Sequence, residues 1–309
     1  MKTAPIHTFA LLPLLLLGCD DALEPGSKVD SFRVLAEQAD LPYAHPGETV
    51  QLSSLSHDPQ GRNINWAWAS CVNPASSNLE GCLEKIGENP DPASTVFAIG
   101  ADMNAPQLVI PADVISSLPA AARGGASVGV LSVACPGELS MGTGPGGLPF
   151  VCTEAGSGRA LGLDEFIAGI KRISVRETDR NQNPAISGVT FDGADWAEGE
   201  LKTITRSCDV SKWDYAGCAD DTKHQIVVQL PDGTVESGKS EHGEDFTEQV
   251  VVQYYATEGV FENEVKIAAQ TKNGYVARKQ AAGQLLTFWF VARDNRGGVS
   301  WTSRQAQVE

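Results

Sequence analysis

Eight consecutive residues, Gly233-Thr234-Val235-Glu236-Ser237-Gly238-Lys239-Ser240, satisfy the nucleotide-binding pattern G-x-x-x-x-G-K-[ST]. Such a loop works only when its backbone N–H groups sit at the N-terminus of a helix with an apolar face to pack. Here Glu241-His242-Gly243-Glu244-Asp245 follows, acidic and without that face, and Glu236 would lie inside the anion cradle. The stretch is therefore read as a polar loop between two strands. Asp179-x-Asn181-x-Asn183 opens like a calcium loop, but Pro184 stands where the sharp turn needs Gly and Thr190 where a bidentate Glu is required. His45, His57, His224 and His242 lie in polar, turn-like stretches outside any metal or triad spacing. Gly156-Ser157-Gly158 lacks the strand-to-helix setting of an activated serine. With 39 Asp and Glu residues some pair is always close, so proximity alone nominates no general acid and base. No catalytic residue, metal ligand or cofactor is assigned, and the expectation is that the chain is not an enzyme.

The seven cysteines are more informative. Leu14-Leu15-Leu16-Leu17-Gly18-Cys19 follows Lys2 and an apolar run from Phe9, which is the layout of a signal peptide (residues 1–18) cut before cysteine. The run is shorter than the roughly 20 residues of a membrane span and is broken by Pro13. It resembles bacterial lipoprotein signals, which implies a thioether-linked diacylglycerol and an N-acyl chain such as palmitate on Cys19. The other six, Cys71, Cys82, Cys135, Cys152, Cys208 and Cys218, then form an even set for an oxidising compartment. Zinc fails on spacing, since no Cys-x-x-Cys occurs. Neighbour pairing gives Cys71 with Cys82, Cys135 with Cys152 and Cys208 with Cys218; a competing pattern joins Cys71 to Cys135 and Cys82 to Cys152. Asp20 after the cysteine resembles the enteric signal for inner-membrane retention. As lineages sort differently, the expected location is a lipid-anchored protein of the cell envelope, facing the periplasm or the cell surface.

The charge of −16 becomes −17 once Lys2 leaves with the signal peptide. Phosphates and acidic lipid are repelled within a Debye length, about 8–10 Å in physiological salt, which argues against a nucleic-acid partner. Residues 19–28 are acidic and then Pro-Gly-Ser, expected to be a flexible lipidated tether holding the first domain off the membrane.

From Val29 the chain reads as short β-segments broken by turn residues. Asn63 to Ala69 alternates with Ile64, Trp66 and Trp68 on one side, favouring core packing over a sugar-stacking platform. Residues 72–95 read as an elaborated loop, and Leu161 to Ile170 is ambiguous between helix and strand. Thr178 to Pro184 is a polar break after which strands restart. Trp213 and Tyr215, inside the Cys208–Cys218 loop, are the candidate binding aromatics. The architecture expected is all-β: two tandem Ig-like β-sandwich domains, residues 29–177 with long disulfide-clipped loops and residues 184–309.

The lipobox, Pro46-Gly47-Glu48-Thr49-Val50, Asp58-Pro59-Gln60-Gly61, the Trp-bearing strand and the closing Trp289 to Trp301 hairpin look like an Ig-like or PKD-like module. Together they resemble myxobacterial-type envelope lipoproteins. That resemblance implies fold and compartment and carries over no catalytic residue. The polar Asp179–Pro184 stretch is also loosely similar to the calcium-binding linkers of tandem cadherin-type modules, although Gln182 replaces an acidic residue there. The leading expectation is a non-catalytic envelope protein whose Ig-like loops bind a protein or glycan partner. The alternatives are an envelope hydrolase with a carboxylate site and an accessory subunit of a surface or secretion assembly.

Overall fold

A computed structural model describes residues 25–76, 78–209, 214–240 and 244–309. The lipobox and Cys19 lie outside the described residues, as do Trp213 and His242. The chain is all-β, as the alternating segments require. Among the described residues no helix is long and apolar enough to cross a membrane.

In the first half, strands Arg33–Ala39, Thr49–His57 and Gln107–Val109 form one sheet. Tyr43–Ala44, Ile167–Val175, Ser127–Cys135, Asn65–Val72 and Val96–Gly100 form a second, in that order. Their inner faces share a core of Val50, Leu52, Leu108, Trp66, Trp68, Val128, Val130 and Ile173. The two indoles stack at 5.6 Å inside it, and Trp68 Nε1 donates to the Met103 carbonyl at 2.6 Å. A buried indole needs that partner, and neither ring is free to stack on sugar.

Strand Ser127–Cys135 is buried at every position, so its outward face is covered too. The cover is the residue 72–95 stretch, read as a loop, which instead contains helix Leu79–Gly87. Its apolar side, Leu79, Cys82, Leu83 and Ile86, follows helical spacing, and Asn78 caps it by accepting the Gly81 N–H at 2.9 Å. Hairpin Glu138–Met141/Phe150–Thr153 completes the layer. Disulfides Cys71–Cys82 and Cys135–Cys152 pin helix and hairpin to the sheet. Gly129 lies beneath the first of these, where a Cβ would sit 2.5 Å from Cys71 Sγ. The ambiguous stretch resolves as a strand from Ile167, because Ile167 to Ser174 pair with Ala134 to Ser127.

The second half places Gly188–Phe191, His224–Gln229 and Lys272–Arg278 in one sheet. The other runs Leu201–Ile204, Val299–Val308, Leu285–Arg293, Val251–Ala256, Val265–Ile267. An aromatic core of Phe191, Trp196, Tyr254, Phe261, Tyr275, Phe288 and Phe290 lies between them. Cys208–Cys218 closes the third disulfide. All three bonds join sequence neighbours.

The halves are packed together. Val29, Leu35 and Trp289 form one apolar cluster, and Ala36, Val291 and Val299 a second, with Leu55 and Tyr255 touching both. Asn183 spans the seam, donating to the Ala39 carbonyl at 2.9 Å and accepting the Val299 N–H at 2.8 Å. The tether expectation needs correction at its end. Val29 N–H donates to the Ala256 carbonyl and the Ala256 N–H to the Ser27 carbonyl, at 2.9 and 3.0 Å, so Ser27–Val29 is held against the second half by a parallel bridge at Lys28. These bonds satisfy an otherwise bare stretch of sheet edge.

Removing Cys208–Cys218 by paired alanine substitution tests the smallest disulfide loop, with a sequence separation of 10. The expected loss is about 2–3 kcal/mol in urea unfolding. Peptide mapping without reduction should find the two cysteines joined to each other and to nothing before residue 153.

Candidate functional site

Tyr215, a candidate binding aromatic, stands three residues before Cys218, which the third disulfide joins to Cys208. The ring is half-buried against Cys208, Cys218, Val260 and Val276. It lies across strand Lys272–Arg278 at Gly274, where a Cβ would be 2.0 Å from the tyrosine oxygen, so only glycine admits it. Lys223 Nζ stands 4.9 Å over the ring. Burial raises the Tyr215 pKa and the Glu262 carboxylate adds to the rise, while Lys223 opposes it.

Beside Tyr215 opens a cleft of about 240 Å³, with Arg206, Lys223 and Lys272 facing Asp192 and Glu262. His224 sits at its floor, 4% exposed. Its Nδ1 lies 2.8 Å from Asp192 Oδ2 and its Nε2 3.1 Å from the Arg206 carbonyl. Arg206 also pairs with Asp192. Burial works to raise the Asp192 pKa, but the Gln225 N–H, His224 and Arg206 together bring it below its usual value. In the sequence this histidine stands in a polar, turn-like stretch. It lies in the first position of a strand, and the signal for it was Asp192-Gly193, a turn whose carboxylate folds back onto the neighbouring strand.

A histidine acting as general base needs one ring nitrogen free to take a proton from a nucleophile. His224 Nδ1 meets both Asp192 Oδ2 and, at 3.1 Å, the Arg206 guanidinium, and Nε2 meets the Arg206 carbonyl, so both nitrogens have partners within the fold. The arrangement can orient polar groups and donate hydrogen bonds from Arg206, Lys223 and Lys272.

The remaining motifs are accounted for structurally. The phosphate-loop pattern, read as a polar loop, supplies a strand: Ser237–Lys239 pairs with Asp245–Thr247, and Lys239 Nζ meets Asp245 Oδ1 at 2.8 Å. Among the described residues no helix follows Lys239 to receive a phosphate. In the Asp179–Pro184 linker a guanidinium takes the place a cation would have. Arg296 pairs with Asp179 at 3.0 Å, Glu248 at 3.2 Å and Glu236 at 3.3 Å. Its flat faces lie 4.3 Å from the Phe246 and 4.7 Å from the Tyr43 ring centres. Among the described residues no group of three His, Cys, Asp or Glu is arranged to hold a metal ion.

Among the described residues, the two carboxylates with raised pKa values, Glu37 and Glu248, lie in separate clusters. Glu37 is raised mainly by burial, against Ser132, Lys171 and Arg293; Glu248 by burial and by Asp294 and Glu236. No protein-family model matches the chain, and no curated protein matches it.

Proposed function

We propose that this chain is a lipid-anchored protein of the cell envelope, held through acylated Cys19, that binds a protein or glycan partner through loops of two Ig-like sandwiches without performing catalysis. The observation that carries the reading is the Tyr215 cleft. Tyr215, packed beside the Cys208–Cys218 bond, borders a polar, mixed-charge cleft floored by His224. Such a surface suits a hydroxyl-rich or zwitterionic ligand, whose groups can exchange water for Arg206, Lys272 and Glu262. The chain's high negative charge makes a strongly acidic ligand unfavourable.

Crosslinking in the native envelope followed by affinity capture tests the binding reading. A partner enriched by the unaltered chain and lost from the Tyr215→Ala, Lys272→Ala double variant is the expected result. Turnover of an envelope polymer with no partner enriched would replace the reading with a hydrolytic one. The anchor has its own test. Cys19→Ala should move the protein from the membrane pellet to the soluble fraction, and its retention after a high-salt wash would argue against acylation.

A further inference from the structure

We infer that the edge strand Val265–Ile267 is a membrane-docking surface, with Val265 and Ile267 entering the headgroup region of the bilayer; this rests on the lipid anchor at Cys19 proposed above. The first support is where the chain leaves the fold. Ser27 N–H donates to Glu264 Oε1 at 3.1 Å, and a Cβ on Gly26 would lie 3.2 Å from that carboxylate. Glu264 is the residue immediately before the strand. The described chain therefore begins beside Val265, on the second half and not on the first.

The second support is length. Five residues lie between Cys19 and Pro25, and the six steps from one to the other span at most about 20 Å when fully extended. That is comparable to the radius of a domain of this size, so the corner bearing Gly26 and Glu264 must stay close to the bilayer that holds the acyl chains. The opposite edge strand of the same sheet, with exposed Leu201, lies four strands away.

The third support is chemistry. Val265 and Ile267 are 46% and 57% exposed and, two positions apart, project from one face of the strand. Lys266 between them is half-buried and reaches Glu262 at 3.7 Å. Branched apolar side chains on the outer strand of a sheet are a liability in water, because they invite pairing with another chain. Contact with lipid covers them. Glu262 and Glu264 alongside are repelled by anionic headgroups, so the surface suits zwitterionic lipid.

The test places a nitrobenzoxadiazole label on Val265→Cys and on Ile267→Cys in the full lipidated chain, reconstituted in phosphatidylcholine vesicles. Val109→Cys and Leu163→Cys, exposed in the first half, serve as references. The expected result is a blue shift with gain of emission at 265 and 267, quenched by headgroup-labelled nitroxide lipid, and neither change at 109 and 163. Vesicle-bound protein whose labels at 265 and 267 match the references would overturn the docking surface and leave the anchor standing. A blue shift that nitroxide lipid does not quench would also overturn it, by showing that protein covers the strand. Failure of the chain with intact Cys19 to float with vesicles would remove the anchor, and the surface with it.

Discussion

Arg296→Ala should lower stability by about 3–5 kcal/mol, the usual consequence of removing one partner from a buried ionic cluster. The arginine side chain is 11% exposed, and the carboxylate of Glu248 that it meets is 1% exposed. Without the guanidinium, Asp179, Glu236 and Glu248 face one another uncompensated, and the Phe246 and Tyr43 rings lose the plane between them. Arg296→Lys should recover only part of the loss, because a point charge can neither fork toward several carboxylates nor stack flat on two rings. Urea unfolding at neutral pH measures both. The deficit of the alanine variant should shrink as the pH falls and Glu248, whose pKa burial already raises, takes up a proton; a deficit independent of pH would assign the effect to packing alone.

The second large effect is expected at the seam between the halves, where Glu37, Lys171 and Arg293 are brought together. Lys171 is 7% exposed, its Nζ donates to the Gly297 carbonyl at 2.6 Å, and burial with the Arg293 charge brings its pKa down to about 8. Between about 8 and the unfolded value of 10.5 the unfolded chain holds the extra proton, so this group's contribution to stability rises with pH across that window. The full span is worth about 3 kcal/mol. Glu37, which accepts from Ser132, behaves oppositely. Its pKa is raised, so its contribution is present below the unfolded value of 4.5 and is lost as pH rises through the folded one. Stability measured against pH should dip between the two windows. Lys171→Met should abolish the alkaline rise, and Glu37→Gln should flatten the acidic fall relative to the unaltered chain. An alkaline limb unchanged in Lys171→Met would show that another group titrates there.

Much of the fold was legible because strands declare themselves locally. Ile64, Trp66 and Trp68 announced a core face by their period, and the cysteines announced closed loops by bracketing turn-rich stretches. Helix Leu79–Gly87 was missed although Leu79, Cys82, Leu83 and Ile86 have helical spacing. The surrounding Asn, Pro and Ser residues suggested a loop, and nothing local shows that the outward face of Ser127–Cys135 needs covering. The site was less legible. Tyr215 could be nominated from its place between the two cysteines, whereas Trp213, nominated beside it, lies outside the described residues. His224 acquires meaning only from Asp192, 32 positions earlier, and Arg206, 18 earlier. Arg296 was a hairpin residue in the sequence; its partners come from both halves and from the linker.

The bond between Ser27 and Glu264 joins positions 237 apart. Because a ribosome delivers the chain from its first residue onward, this junction has no counterpart to meet until nearly the whole polypeptide has been made. The strand pairs of the first half can close while synthesis continues, yet the segment leading into them must wait for its partner. Closing so long a loop costs little more entropy than closing one half its size, about 0.6 kcal/mol per doubling, so delay and not thermodynamic weakness sets its place in assembly. A ribosome-bound chain stalled before Ala256 should therefore be cleaved by protease near residue 28 while its first-half sheets resist.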